Sequence, residues 1–146
     1  MLRGHAAATI DDKGRVKIPT PFRRFIEQNY GRELFVTSLN GDNVRVYPLS
    51  VWKEIENKIA EAPQLNPAVH RFVSYVNFFG QATSLDRQGR ILIQPHLRKK
   101  ADMTGEVAIL GSGNHLQIWN RNNFEKKIES EPLTLEDQNL LSSLGI

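Results

Sequence analysis

The sequence predicts an α+β fold built from two β-β-α-β-β units with flanking helices. Three observations carry that reading. First, DDKGRVKIPTPFRR at 11–24 returns as DRQGRILIQPHLRK at 86–99. With an offset of 75, Asp11, Gly14, Arg15, Ile18 and Arg23 fall on Asp86, Gly89, Arg90, Ile93 and Arg98. Second, VRVYPLSVW at 44–52 matches LQIWNRNNF at 116–124 with an offset of 72, and puts Val44, Val46, Tyr47 and Trp52 on Leu116, Ile118, Trp119 and Phe124. Third, within each copy the hydrophobic period switches between two and about three and a half residues. Repetition of both stretches in the same order marks a duplicated supersecondary unit.

The elements follow in order. HAAATI leads through DDKG into RVKIP, where Val16 and Ile18 face one way and Arg15 and Lys17 the other. Asp11 supplies local side-chain hydrogen bonding and Gly14 tolerates positive φ, so this reads as a local β-hairpin. The second copy repeats it, with Ile91 and Ile93 inward and Arg90 outward. TPFRRFIEQN predicts a helix with Thr20 as N-cap, Pro21 at its first position and Gly31 at its end. ELFVTSL and NVRVYPL flank Asn40-Gly41, a hairpin turn signal, and EVAILGS and HLQIWN flank Gly113-Asn114. A helix follows each hairpin: one capped by Ser50, with Trp52, Ile55 and Ile59 on one face, and one capped by Asn123, with Phe124 and Ile128 inward.

Between the copies, Asn66-Pro67 opens a helix whose Val69, Phe72, Val73, Val76 and Phe79 suit packing between the halves. In LTLEDQNLLSSLGI, Thr134 and Asp137 form a capping-box pattern. Its Leu135, Leu140, Leu141 and Leu144 dock either on the body or on a neighbouring subunit. These signals divide the chain into units at 5–51 and 80–123, connecting helices at 52–79 and C-terminal helices at 124–146. Of the 146 residues each half has roughly 70, a marginal size for a separate core, so the halves are expected to share a core or to oligomerise.

Composition narrows the function. There is no cysteine, hence no disulfide framework and no thiolate metal site. No apolar run is long enough for a bilayer, and the N-terminus has no signal-peptide pattern, so neither a membrane partner nor secretion is expected. The net charge of +3 is unevenly placed: residues 1–24 carry six Lys/Arg against two Asp, residues 86–100 carry five against one, and the remainder is net acidic. A localised positive strip points to an anionic partner. His5, His70, His96 and His115 lack metal-ligand spacing. Gly111-Ser112-Gly113 lies at a hairpin turn, not before a helix, and no nucleophile–base pair is present. The expectation is therefore no catalytic residue, no metal, no cofactor and no small-molecule substrate.

What remains is Asp-x-x-x-Arg, twice. Asp11 and Asp86, with Gly14 and Gly89, shape the turns; Arg15 and Arg90 leave them on the exposed edge, where a guanidinium suits phosphate oxygens or a guanine edge. Lys13, Lys17, Arg87 and Arg3 extend the same strip. An Asp–Arg ion pair that only stiffens the turn is the competing role, and both can hold at once. Arg23 and Arg98 either complete the basic face or pair with acids such as Glu27.

With the opening Arg3-Gly4, DDKGR, DRQGR and the connector LNPAVHRF, the whole chain resembles the MraZ family of bacterial transcriptional regulators. The resemblance implies tandem SpoVT/AbrB-type domains, forming in one chain the swapped-hairpin pseudo-dimeric barrel that two chains normally make. It further implies a ring-shaped homo-oligomer in the cytoplasm, on the nucleoid. Such rings bind double-stranded DNA at repeated boxes in the promoter of the division and cell-wall gene cluster. The motif positions carried over are Asp11, Arg15, Asp86 and Arg90. An antitoxin-like AbrB-type partner protein is the alternative. It would carry a long, disordered, often acidic tail, whereas this tail is short and reads as helical.

Overall fold

In the computed structural model, which describes residues 1–146, the first copy runs β1 (His5–Thr9), β2 (Arg15–Lys17), α1 (Thr20–Asn29), β3 (Glu33–Thr37), β4 (Val44–Pro48) and α2 (Leu49–Glu61). After α3 (Pro67–Phe78) the second copy follows as β5 (Gln81–Ser84), β6 (Arg90–Leu92), α4 (Pro95–Lys100), β7 (Glu106–Gly111), β8 (Leu116–Asn120) and α5 (Arg121–Ser130), and then α6 (Leu135–Ser143). The α+β class and the duplicated order are those the sequence predicts.

The two copies interleave. Six strands form an antiparallel sheet in the order β1-β7-β8-β4-β3-β5, and β2 pairs with β6 in a separate two-stranded ribbon. Exchanging every strand for its repeat maps this order onto its own reverse. A pseudo-two-fold axis therefore passes between β4 and β8 and through the ribbon pair Val16–Ile91. Here the local hairpin expectation is corrected. β1 and β2 form no ladder, and only Ile10, just after β1, bridges Val16; β1 pairs along its length with β7, and β5 with β3. The physical reason is burial: β2 has three residues and β1 three alanines, so a hairpin of the two has too little apolar surface to form a core. Crossing to the other copy places Val16 and Ile91 in one 21-residue core with Leu34, Val46, Ile109 and Ile118. Neither half closes a core alone, as their size predicts.

The sheet does not close into a barrel. β1 and β5 are its edges, and the ribbon joins the shared core through its inner face. Strand alternation sends Leu34 and Val36 inward, while Phe35 stacks on Trp52 of α2 with ring centroids 4.7 Å apart.

Local corrections concern helix starts. α1 and α2 begin after Pro19 and Pro48, whose φ of −55° turns the chain into the helix with no side-chain cap, so neither Thr20 nor Ser50 caps. Asn120, three residues before the predicted Asn123, caps α5 by accepting from the Asn123 backbone N–H. Asn66 caps α3 and Thr134–Asp137 form the capping box, as expected. α3 does not pack between the halves: Val76 and Phe72 join Tyr47, Val51 and Trp52 on the outer face of the first copy. Only the end of α3 reaches the second copy, where His96 Nε2 meets the Phe78 carbonyl at 2.6 Å. Aromatic bulk at Trp52 and Phe35 draws the helix to that face.

Candidate nucleic-acid interface

The two turns are built alike. Asp11 Oδ1 accepts from the backbone N–H of Lys13 (3.0 Å) and Arg15 (2.8 Å), and its Oδ2 accepts from Arg15 Nε at 2.8 Å. Asp86 accepts from the N–H of Gln88 (2.8 Å) and Arg90 (2.9 Å) and from Arg90 Nε at 2.9 Å. Both carboxyls are held below the usual aspartate value, first by the backbone N–H of the arginine and then, against some burial, by its side chain. Each aspartate thus remains ionised and orients its arginine. Only Nε is used, so the two Nη atoms of Arg15 and of Arg90 donate to no protein acceptor. The ion pair that stiffens the turn and an arginine presented outward are one arrangement.

Gly14 and Gly89 lie at φ +86° and +73°, and both are covered by an arginine of the other copy. A Cβ on Gly14 would stand 2.6 Å from Arg98 Nη1, and Arg98 also donates to the Asp12 carbonyl at 3.3 Å. A Cβ on Gly89 would collide with Arg23. Arg23 and Arg98 are therefore crossed over: each helix lays its arginine on the turn of the opposite repeat. Glu27 pairs with Arg32 instead, at 3.2 Å.

The ribbon register sets Arg15 opposite Leu92 and Lys17 opposite Arg90, all on the outer face. Ile93 N–H donates to Gly14 O and Ile18 N–H to Gly89 O, so one turn flanks each end of the ribbon. This sets Arg15, Lys17 and Arg90 on one face, with Lys13 and Arg87 in the turns at its two ends. Arg3 precedes β1, beside Gly111 and in a cleft with Pro19 and Phe22. Two residues escaped the sequence reading. Arg32 Nη2 donates to the carbonyls of Leu85 (2.9 Å) and Asp86 (2.7 Å), holding the second turn from a position more than 50 residues away, with no local signal. Leu92 sits where the first copy has Lys17, a departure visible in the repeat alignment itself.

No group of three or more His, Asp or Glu side chains is placed to hold a metal, and no helix is long and apolar enough to cross a membrane. The fold and this surface define a tandem-repeat protein in which two Asp–Arg turns, exchanged across a pseudo-two-fold axis, flank one composite basic ribbon. The chain belongs to the MraZ family. Its family model, described as "MraZ protein, putative antitoxin-like", matches residues 1–74 and 78–142. The chain is similar to proteins named transcriptional regulator MraZ from Koribacter versatilis (42% identity) and Acidobacterium capsulatum (38% identity), over 100% of each chain in both cases. A third, from Syntrophobacter fumaroxidans, is 35% identical over 88% of this chain and 85% of its own. A transcriptional regulator is not a class of enzyme.

Proposed function

We propose that this protein is a sequence-specific DNA-binding transcriptional regulator that applies the β2–β6 ribbon and its two turns to double-stranded DNA. The observation that carries this reading is the reciprocal pair of Asp–Arg turns, each leaving a guanidinium fork unengaged on one exposed basic surface. Arg15, Arg90, Lys13, Lys17 and Arg87 are its contact residues; Asp11, Gly14, Asp86 and Gly89 shape the turns. Arg3, ahead of β1, extends the same basic strip. The units 5–51 and 80–123 act as two SpoVT/AbrB-type modules sharing one surface. The protein works in the cytoplasm on the nucleoid, as a homo-oligomeric ring, at repeated boxes in the promoter of the division and cell-wall gene cluster. It uses no metal, cofactor or small-molecule substrate.

One subunit can neutralise few phosphates, and sequence-independent contacts alone give Kd values of about 10⁻⁴ to 10⁻⁶ M at physiological salt. Linked subunits on adjacent boxes gain roughly 10² to 10⁴ in avidity. The test is a titration of DNA from upstream of the protein's own gene, cut to carry one, two or three boxes, at two salt concentrations. Affinity that rises with box number and falls steeply with salt is expected. Equal affinity for all three, or indifference to salt, overturns the reading. The antitoxin-like alternative has the exposed leucines of α6 in its favour and predicts instead a stable complex with a second protein.

A further inference from the structure

The pseudo-two-fold axis carries Arg15 onto Arg90 and Lys17 onto Leu92, so of the four outward side chains of the ribbon one is apolar where its counterpart is a cation. Leu92 is 43% exposed and belongs to neither core cluster, although its neighbours Ile91 and Ile93 are fully buried. Nothing in the fold of the single chain requires an isobutyl group there. The flanking turns widen the difference. The turn beside Leu92 contains Asp12 and Lys13, which offset one another; the turn beside Lys17 contains Arg87 and Gln88, with no acid besides the paired Asp86. One end of the ribbon is therefore the more strongly basic, and the other is less basic and carries the apolar side chain.

We propose that Leu92 is a base-reading residue that packs against the 5-methyl group of a thymine, and that the Lys17–Leu92 difference gives the ribbon a single direction on the duplex. The proposal rests on the DNA-binding reading above. The B-DNA major groove admits a two-stranded ribbon, and the apolar feature on its floor is the thymine methyl, which apolar side chains contact. An ammonium at that point donates to phosphate or to the O6 and N7 acceptors of guanine; an isobutyl group gains nothing from either and gains from a methyl. With unlike ends, the ribbon reads an asymmetric box and not a palindrome.

The test uses duplexes that the full-length protein selects from a randomised pool. Each thymine is replaced in turn by deoxyuridine, which deletes only the methyl. At one position the parent is expected to lose about fourfold in affinity, the equivalent of one buried methyl. Leu92→Ala should bind the thymine and deoxyuridine duplexes equally. Leu92→Lys should lose the preference and steepen the slope of log K against log salt by about 0.9. An unchanged thymine-to-deoxyuridine ratio in Leu92→Ala, or a palindromic selected site, overturns the proposal while leaving DNA binding intact. Loss of binding to every duplex together with a smaller assembly in sedimentation assigns Leu92 to a subunit contact, and also overturns it. A parent that enriches no sequence from the pool removes the DNA-binding reading itself.

Discussion

At the scale of single residues, Arg15 and Arg90 are held by their aspartates through one nitrogen and free at two. Arg15→Ala is expected to cost about 1–3 kcal/mol of DNA affinity while circular dichroism stays unchanged. Arg15→Lys keeps the charge but loses both the Nε bond to Asp11 and the planar fork, so it should recover the salt dependence and little of the sequence selectivity. Full affinity in the alanine variant would take this residue off the interface. His115 makes a different prediction. Its ring stacks on Tyr47, centroids 4.6 Å apart, and burial, with the Arg45 cation second, lowers its pKa to about 4. Unfolded, it titrates near 6.5. Between those values the unfolded chain takes up a proton that the folded chain refuses, so stability is whole above pH about 6.5 and falls as pH drops toward 4. His115→Gln should flatten that part of the stability–pH curve, measured by denaturant unfolding; an identical slope in the variant would show that the ring titrates freely in the fold.

At the scale of elements, the turns discriminate between their two glycines. Both need a left-handed backbone, which costs an L-residue about 1–2 kcal/mol. At Gly14 a Cβ also meets the Ile93 carbonyl at 2.8 Å, and backbone cannot move aside. At Gly89 the obstacles are atoms of the flexible Arg23 side chain. Gly14→Ala is therefore expected to destabilise more than Gly89→Ala, by about 1 kcal/mol or more, read from paired unfolding midpoints. Equal losses would mean that the second turn is as rigidly covered as the first. The turns themselves were readable from Asp, Gly and Arg at fixed spacing, because an Asx turn is local chemistry. The helix starts were less readable: prolines at 19 and 48 provide the entry angle, so the polar residues that follow cap nothing.

At the scale of the whole molecule, α6 leaves Leu135, Leu140 and Leu144 63–73% exposed, with Leu133 and Ile128 nearby in sequence also exposed. Apolar surface of this extent calls for a partner surface. Sedimentation at micromolar concentration should show an assembly larger than a dimer. Substituting serine for Leu135, Leu140 and Leu144 together should shrink it without loss of sheet signal, since these side chains touch no part of the core. A monomeric parent would remove both the ring and its avidity. Within one chain, Ile91→Ala should cost about 2–5 kcal/mol and unfold both halves in one transition, because the core is common to both.

The sequence by itself determined the duplication, the alternation that buries Val16, Ile18, Ile91 and Ile93, the Asx turns, the β3–β4 and β7–β8 hairpins, the capping box at Thr134–Asp137, and the cationic residues of the ribbon. Each of these depends on forces acting within a few residues. Only the tertiary structure decided that β2 pairs with β6, that Arg23 and Arg98 cover each other's turns, that Arg32 holds Asp86 and that α3 lies on the outer face of the first copy. Those outcomes join residues as many as 86 positions apart, where local propensity is silent. The choice among pairings is made by which arrangement buries both sets of aliphatic side chains in a single core.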